Sequence, residues 1–234
     1  MRSDAKTKFA GQQSMSPSPW LARSLNRVLS RWGELGCEVL LERSLFANLP
    51  AANPAIEVTL RLAGADDIDR ISRLYSADPW LYLGSGPPTP ENHAKACELY
   101  LDRLRRGELC FLAMSGEEIA HVNWICFAWG DALPGYPIRL RDGEVFTSDA
   151  LTPAPFRGRG LHAFVLREML AHAQTHGYRQ AYTLWRIDRT ASYKGLSQLG
   201  WTKCGFVMYF LPDGGTKPWF LWRRGNLEPL FRSA

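Results

Sequence analysis

The segment Pro155-Phe156-Arg157-Gly158-Arg159-Gly160-Leu161-His162 joins a strand pattern at Glu144 to Leu151 to a helix pattern from about Gly160 to His176. This junction constrains the fold more than any other part of the 234 residues. In the helix, Leu161, Val165 and Met169, with Leu166, Leu170 and Ala173, make one apolar face that must cover a sheet. A strand that turns through glycines into such a helix belongs to an α/β domain. The first backbone N–H groups of a helix have no internal partner and carry the positive end of its dipole, so the turn offers an anion site. Glycines let the backbone approach a phosphate closely, and Arg157 and Arg159 beside them suit a pyrophosphate. The plainer reading is that the glycines only permit a tight turn.

The rest of the chain supplies the other elements. Cys37 to Leu41 is expected as a short strand, and Ala55 to Leu62 alternates as a strand with Ile56, Val58 and Leu60 on one side. Ala65-Asp66-Asp67 caps a helix to about Tyr75. Leu83 to Pro88 reads as a loop, and Thr89-Pro90-Glu91 starts a helix that stops near Gly107. Leu109 to Met114 and Ile119 to Phe127 read as a hairpin turning at Gly116, and residues 130–142 as a Gly/Pro-bearing loop. Downstream lie a strand at Gln180 to Trp185, a short helix at Thr190 to Leu199, and strands at Trp201 to Leu211 and Pro218 to Trp222. Aromatic residues crowd this last hairpin as packing or as the wall of an apolar pocket.

The formal charge of +5 does not belong to the body of the chain. Arg2, Lys6, Lys8, Arg23, Arg27 and Arg31 meet one acid, Asp4, over residues 1–33, and the remainder holds 22 basic and 22 acidic side chains. A balanced body offers no basic face for nucleic acid. Residues 1–19, polar with Ser16-Pro17-Ser18-Pro19, are expected to be a disordered basic arm. Trp20, Leu21, Leu25, Val28, Leu29, Trp32 and Leu35 then recur at helical spacing, with Arg23, Arg27 and Arg31 as a basic row opposite. Residues 20–54 are thus expected as an amphipathic helix and a short strand packed on the domain with the arginines solvated. Contact with an anionic membrane surface, or a transit peptide, is the alternative for such a row. No apolar run reaches the roughly 18 residues of a transmembrane helix. The five cysteines, Cys37, Cys97, Cys110, Cys126 and Cys204, have neither framework nor CxxC spacing and read as reduced thiols of a cytoplasmic protein.

The glycine turn resembles the acyl-CoA-binding motif of the Gcn5-related N-acetyltransferase (GNAT) superfamily, Arg/Gln-x-x-Gly-x-Gly/Ala, with Arg157 and Gly160 in the matching places. The order of strands and helices over roughly residues 55–223 is similar to that superfamily's as well. The resemblance implies an α/β (α+β) fold with a mixed, mostly antiparallel central sheet flanked by helices, spanning residues 55–224, carrying the N-terminal helical extension and a tail at 225–234. It implies acetyl-CoA or another acyl-CoA as co-substrate, its pyrophosphate on the amides of Arg157, Gly158, Arg159, Gly160, Leu161 and His162. The strand end at Ala150 and Leu151 would offer a backbone N–H to the pantetheine arm or the oxyanion. In two places the sequence departs from the pattern. His162 stands where a small residue is usual, and the strand end lies one residue further from Arg157.

A second resemblance is a downstream pattern of Asn, a small residue, Tyr and a Gly-aromatic pair. Counting back from Gly200-Trp201 puts Arg189, Ser192 and Leu196 at those places. Ser192 keeps the small residue of the cofactor site, whereas the tyrosine that protonates the departing thiolate in many members is replaced by Leu196. Tyr193 lies about a quarter turn or more away from that face. A thiol of pKa about 8.5 leaves readily as thiolate near neutral pH, so the acid is dispensable in principle.

The implied reaction is direct N-acyl transfer, in the first place N-acetyl transfer, from the thioester to a primary amine of a small molecule or a protein. An ammonium acceptor must first lose a proton, and Glu144 and Asp149 are the candidate bases on the strand. Their opposite parity predicts opposite faces, so at most one serves. No metal is expected: His172 and His176 form an i, i+4 pair without a third ligand. There is no Gly-x-Ser-x-Gly elbow. Two alternatives stand beside acyl transfer. Gly158-x-Gly160-x-x-Ala163 also satisfies a relaxed dinucleotide fingerprint, with Asp188 as ribose ligand of an NAD(P)-dependent oxidoreductase. The missing tyrosine allows a catalytically silent acyl-CoA-binding module.

Overall fold

A computed structural model of the protein describes residues 24, 25, 27–29, 31–76, 89–187 and 189–232. The expected arm at 1–19, the start of the basic helix through Arg23, the loop at Leu83 to Pro88 and the ribose candidate Asp188 lie outside the described residues. The strands are β1 (Gly33–Ser44), β2 (Thr59–Leu62), β3 (Leu109–Ser115), β4 (Glu118–Cys126), β5 (Trp129–Leu133), β6 (Tyr136–Arg139), β7 (Glu144–Leu151), β8 (Gln180–Arg186), β9 (Thr202–Pro212) and β10 (Trp219–Gly225). The helices are α1 (Ile68–Ser76), α2 (Pro90–Arg105), α3 (Leu161–Thr175), α4 (Thr190–Gln198) and the short α5 (Glu228–Phe231).

Eight strands form one mixed sheet in the order β10-β9-β1-β8-β7-β4-β3-β2, and β5-β6 form a separate hairpin. Among the described residues only β7 and β8 pair in parallel, as the crossover through α3 demands, and the other neighbours are antiparallel. One parallel pair is not the open parallel sheet that a dinucleotide-binding unit builds, so the oxidoreductase reading loses its scaffold. The apolar face of α3 packs on Val39, Leu41, Ile125, Val145 and Ala181. On the other face, Ile68, Ile71 and Tyr75 of α1 and Tyr100 of α2 pack on Leu112, Val122 and Trp124. The sheet is thus covered on both faces, as its near-continuous apolar runs require.

The main departure from expectation is β1. Residues 24, 25 and 27–29 are helical, but the chain becomes a strand at Gly33, so Leu35 pairs with Phe210 instead of completing a helical face. β1 is a 12-residue strand inserted between β8 and β9. Consecutive Leu40 and Leu41 are both 0% exposed, which requires burial on both faces of the strand. Such a run has no period to distinguish it from a buried helix. The strand expected within 20–54 is thus part of the central sheet. The second departure is the 130–142 loop, most of which is the hairpin β5-β6, with Pro134-Gly135 as its turn.

The connection from β1 to β2 runs along α3. Gln174 near the end of α3 donates to the carbonyls of Leu45 (2.5 Å) and Ala47 (3.1 Å), and the Ala55 amide donates to the Arg159 carbonyl (2.8 Å) just before α3 begins. Leu49, Ala52, Ile56 and Val58 pack against the core along this path.

Candidate active site

The sheet opens where its parallel strands part. β7 and β8 are paired from Glu144–Gln180 to Thr147–Thr183, where the Thr183 hydroxyl donates to the Thr147 carbonyl at 2.9 Å. Beyond that point β8 pairs with β1 alone, Leu184 to Leu40 and Arg186 to Glu38, and β7 with β4 alone, Ser148 to Trp124 and Leu151 to Val122. Among the described residues, the edges that face each other across the gap have no strand partner there. Some of these backbone groups are met within the protein, as the Arg186 carbonyl is by the Arg189 amide, and the others are left for water or a ligand.

At the opening β7 carries a bulge: Asp149 and Ala150 together face Asn123, and Asp149 has φ 52°. Asp tolerates this left-handed conformation better than most residues, though it remains a strained one. Two helices hold it. The Tyr75 hydroxyl at the end of α1 donates to the Asp149 carbonyl. From α2, Arg103 donates to the Asp149 carboxylate at 2.5 Å, the Ser148 hydroxyl at 3.0 Å and Glu108 at 2.7 Å. Tyr75, Tyr100 and Trp124 stack at 5.2 and 5.6 Å, and the Arg103 guanidinium lies 4.2 Å from the Trp124 ring centre. Burial alone would lower the pKa of Arg103, but Asp149 and Glu108 hold it above the usual arginine value. It remains charged.

Past Leu151 the chain reaches the glycine turn. Gly158 and Gly160 have φ 76° and 75°, a region closed to most side chains. The first helical bond runs from Phe164 N to Gly160 O at 3.1 Å, and the amides of residues 158–163 have no acceptor among the described residues. Arg157, Gly158, Arg159 and Gly160 are exposed, while the Leu161 side chain is buried in the core and only its amide faces this use. Arg157 Nε donates to the Thr152 carbonyl at 2.9 Å, and the Thr152 hydroxyl meets His121 Nδ1 at 2.7 Å. β4 thereby fixes the entry to the turn. His162 packs beside Gly195 of α4, where an added Cβ would be in ordinary contact with His162 Nδ1 at 3.4 Å. His162 and His121 lie 5.6 Å apart between ring centres. Burial pushes the His162 pKa down to about 4, and burial together with His162 keeps that of His121 well below the usual histidine value. Both imidazoles are neutral at pH 7. His121 Nε2 and Asn123 Oδ1 are buried without a partner among the described residues.

Of the other residues read from the sequence, Ser192 is half-buried on α4 and its hydroxyl donates to the Arg189 carbonyl at 2.9 Å. Leu196 is 4% exposed and packs in the core. Tyr193 stacks on Trp185 at 4.4 Å with the Lys203 ammonium 4.9 Å from its ring. The two candidate bases are separated by the strand. Glu144 lies at the paired end of β7, bonded to Arg232 and to the Arg141 amide at 2.8 Å. Burial would raise its pKa, but these hydrogen bonds bring it below the usual carboxylate value. Asp149 lies at the opening but accepts from Arg103 and, at 3.1 Å, from Ser148. The bulge also breaks the alternation from which opposite faces were expected. His172 and His176 pack at 4.1 Å between ring centres on the last turn of α3, away from this opening.

Comparison with solved structures identifies this architecture. An acetyltransferase from the GNAT family of Colwellia psychrerythraea superposes with TM-score 0.53 at 14% identity, covering 80% of this chain and 60% of that one. A GCN5-related N-acetyltransferase from Sphaerobacter thermophilus gives TM-score 0.51 at 15% identity, covering 79% and 54%. The fold is GNAT-like. A functionally unknown conserved protein from Staphylococcus epidermidis is similar to the same degree, TM-score 0.51 at 13% identity over 78% and 63%. The chain thus spans between about half and two thirds of the length of these neighbours. No protein-family model and no curated protein matches the sequence. Among the described residues no helix is long and apolar enough to cross a membrane.

The sequence reading of this candidate site missed Tyr75, Arg103, His121 and Thr152. One signal for them was available: His121 and Asn123 are polar residues two apart in the apolar run Ile119 to Phe127, and a strand buried on both faces holds such residues for a specific contact.

Proposed function

We propose that the protein is an acyl-CoA-dependent N-acyltransferase, in the first place an N-acetyltransferase. The observation that carries the reading is the row of amides at 158–163, without acceptors among the described residues, at the end of β7 that opens away from β8. These amides, with Arg159 beside them, fit the pyrophosphate of CoA, and the opening between Ser148–Leu151 and Leu184–Arg186 fits the extended pantetheine arm. The Ala150 or Leu151 amide at the bulge is the donor for the oxyanion, held in place by Tyr75 and Arg103. Ser192 and the His162 amide complete the cofactor side.

In the reaction the neutral amine of the acceptor attacks the thioester carbonyl, the N–C bond forms and the C–S bond breaks. CoA leaves as thiolate, and the amine's proton passes to water. A base role for Glu144 finds no support in its position, and Asp149 is occupied by Arg103, so we assign both to holding the fold at the two ends of β7. Leu196 supplies no acid, which a thiolate leaving group does not need at neutral pH. The acceptor is a primary amine of a small molecule or a protein. The free, largely buried cysteines suit a reducing compartment such as the cytoplasm.

The test is calorimetric titration with CoA, acetyl-CoA, a longer acyl-CoA and NADH, followed by a turnover screen over amines. CoA species are expected to bind and NADH not. Binding of NADH alone would overturn the assignment, and CoA binding without turnover on any amine would leave the silent acyl-CoA-binding module.

A further inference from the structure

Apart from the opening in the sheet, the helix pair α1–α2 brings three chemically distinct donors to one point. His93 Nε2 lies 2.9 Å from Asp69 Oδ1 and 3.6 Å from Cys97 Sγ. The three donor atoms all lie within 4.8 Å of one another. Asp69 comes from the first turn of α1, and His93 and Cys97 stand at i and i+4 on the first two turns of α2. Tetrahedral zinc with Zn–N and Zn–O near 2.0–2.2 Å and Zn–S near 2.3 Å requires about 3.3 Å between N and O and about 3.6 Å between N and S. The N–S separation already matches, and the N–O pair must open by about 0.4 Å for a cation to enter.

The arrangement of the imidazole distinguishes a cation site from a nucleophile. A Cys-His-Asp relay places the thiol and the carboxylate on opposite ring nitrogens. Here both meet Nε2, so the ring cannot pass a proton from one to the other. The other nitrogen, Nδ1, faces the Ser72 hydroxyl at 3.1 Å, and Ser72 is 0% exposed and unavailable for attack. Without a cation Nε2–H donates to Asp69; when a cation displaces that proton, the Ser72 hydroxyl is placed to accept from Nδ1–H and hold the Nε2 lone pair towards the metal, which is how metal-binding histidines are oriented. Asp69 is at present paired with Arg73 at 2.9 and 3.1 Å. The Arg73 side chain is 69% exposed and can move into solvent when a cation takes its place.

We propose that Asp69, His93 and Cys97 bind a divalent cation of the zinc class, with Ser72 positioning His93 and a water completing the coordination. A thiolate, an imidazole and a carboxylate together favour Zn²⁺ or Co²⁺ over Mg²⁺ or Ca²⁺. The cation cross-links α1 to α2, the two helices that support the β7 bulge through Tyr75 and Arg103. The sequence reading expected no metal, since His172 and His176 lack a third ligand and the cysteines show no CxxC pair; these three donors meet only where α1 packs on α2.

The test uses the full chain without a polyhistidine tag, freed of metal by chelation and titrated with Co²⁺, then with Zn²⁺ against a chromophoric chelator. One equivalent of Co²⁺ is expected to give a thiolate-to-metal charge-transfer band that Zn²⁺ abolishes. Cys97→Ser should remove the band, while Cys204→Ser should leave it. Ser72→Ala should keep the band but weaken binding about 10- to 100-fold, and Arg73→Ala should tighten it. Metal-free variants are checked for an unchanged circular dichroism spectrum and melting temperature. Absence of the band, or equal affinity in wild type, Cys97→Ser and His93→Gln, would overturn the proposal.

Discussion

Arg103 Nη1 lies 2.5 Å from Asp149 Oδ2, so a buried guanidinium of α2 holds the one described non-glycine residue with a left-handed backbone. The same guanidinium pairs with Glu108 at 2.7 Å and covers Trp124. The bulge at the mouth of the opening therefore rests on a charge network, and its shape depends on residues distant from it in sequence.

Arg103→Met is expected to destabilise the protein by about 3–5 kcal/mol, because it leaves the buried side of Asp149 without a counter-charge and Glu108 with Arg106 alone. Asp149→Asn, which keeps the left-handed tolerance and one hydrogen-bond acceptor, should cost less than Asp149→Ala. Urea denaturation of the three variants gives the order, and equal losses for Asn and Ala would show that backbone conformation is not the issue.

At the turn, Gly160→Asp should abolish CoA binding by placing a carboxylate on the anion site. Gly160→Ala adds about 1–2 kcal/mol of left-handed strain and a Cβ 3.3 Å from the Asn53 carbonyl. Gly158→Ala meets nothing within 4 Å and should cost strain alone. Arg159→Glu should weaken CoA binding by roughly 10- to 100-fold with stability unchanged, as for the loss of a charge-assisted hydrogen bond. Titration calorimetry and thermal melts separate the two effects.

Stability should fall in acid through His162. Its pKa is about 4 in the folded chain against an ordinary 6.5. Between these values the unfolded chain binds a proton that the folded chain does not. The stabilisation is therefore complete above about pH 6.5 and is lost as pH falls towards 4. His162→Gln should flatten the profile in that window. Glu144, lowered by Arg232, adds a separate loss below about pH 4.3. CoA at the turn should raise the His162 pKa, which NMR titration of the imidazole would read directly.

Chains beginning at residue 20 should fold and keep turnover, whereas chains beginning at residue 45 should not fold. The second truncation removes β1 from between β8 and β9 and leaves both with unpaired backbone. Soluble expression and circular dichroism decide the matter. A folded 45–234 chain would mean that β9 can pair with β8 directly.

Leu196→Tyr, which restores the tyrosine of the resembled pattern, should cost about 1–3 kcal/mol by overpacking and raise no rate. Turnover measured with the best amine and acyl donor provides the check. A rate gain would place this side chain within reach of the leaving sulfur.

The sequence by itself determined the local chemistry: the strand at Glu144–Leu151, the glycine turn, the apolar face of α3 and the Thr89 cap, whose hydroxyl accepts from Asn92 N at 3.2 Å. These are set by residues within a few positions of one another, through backbone preference and periodicity. Tertiary structure alone decided the rest. β1 is buried on both faces and has no period to announce its strand. The bulge at Asp149 needs Tyr75 and Arg103 brought from two helices. Glu144 and Asp149 lie on one strand and read alike, yet their roles follow from partners 88 and 46 residues away, Arg232 and Arg103. The Asp69–His93–Cys97 cluster exists only because α1 and α2 pack side by side. Charge pairing and ligand convergence act through space, and a sequence records their participants without their distances.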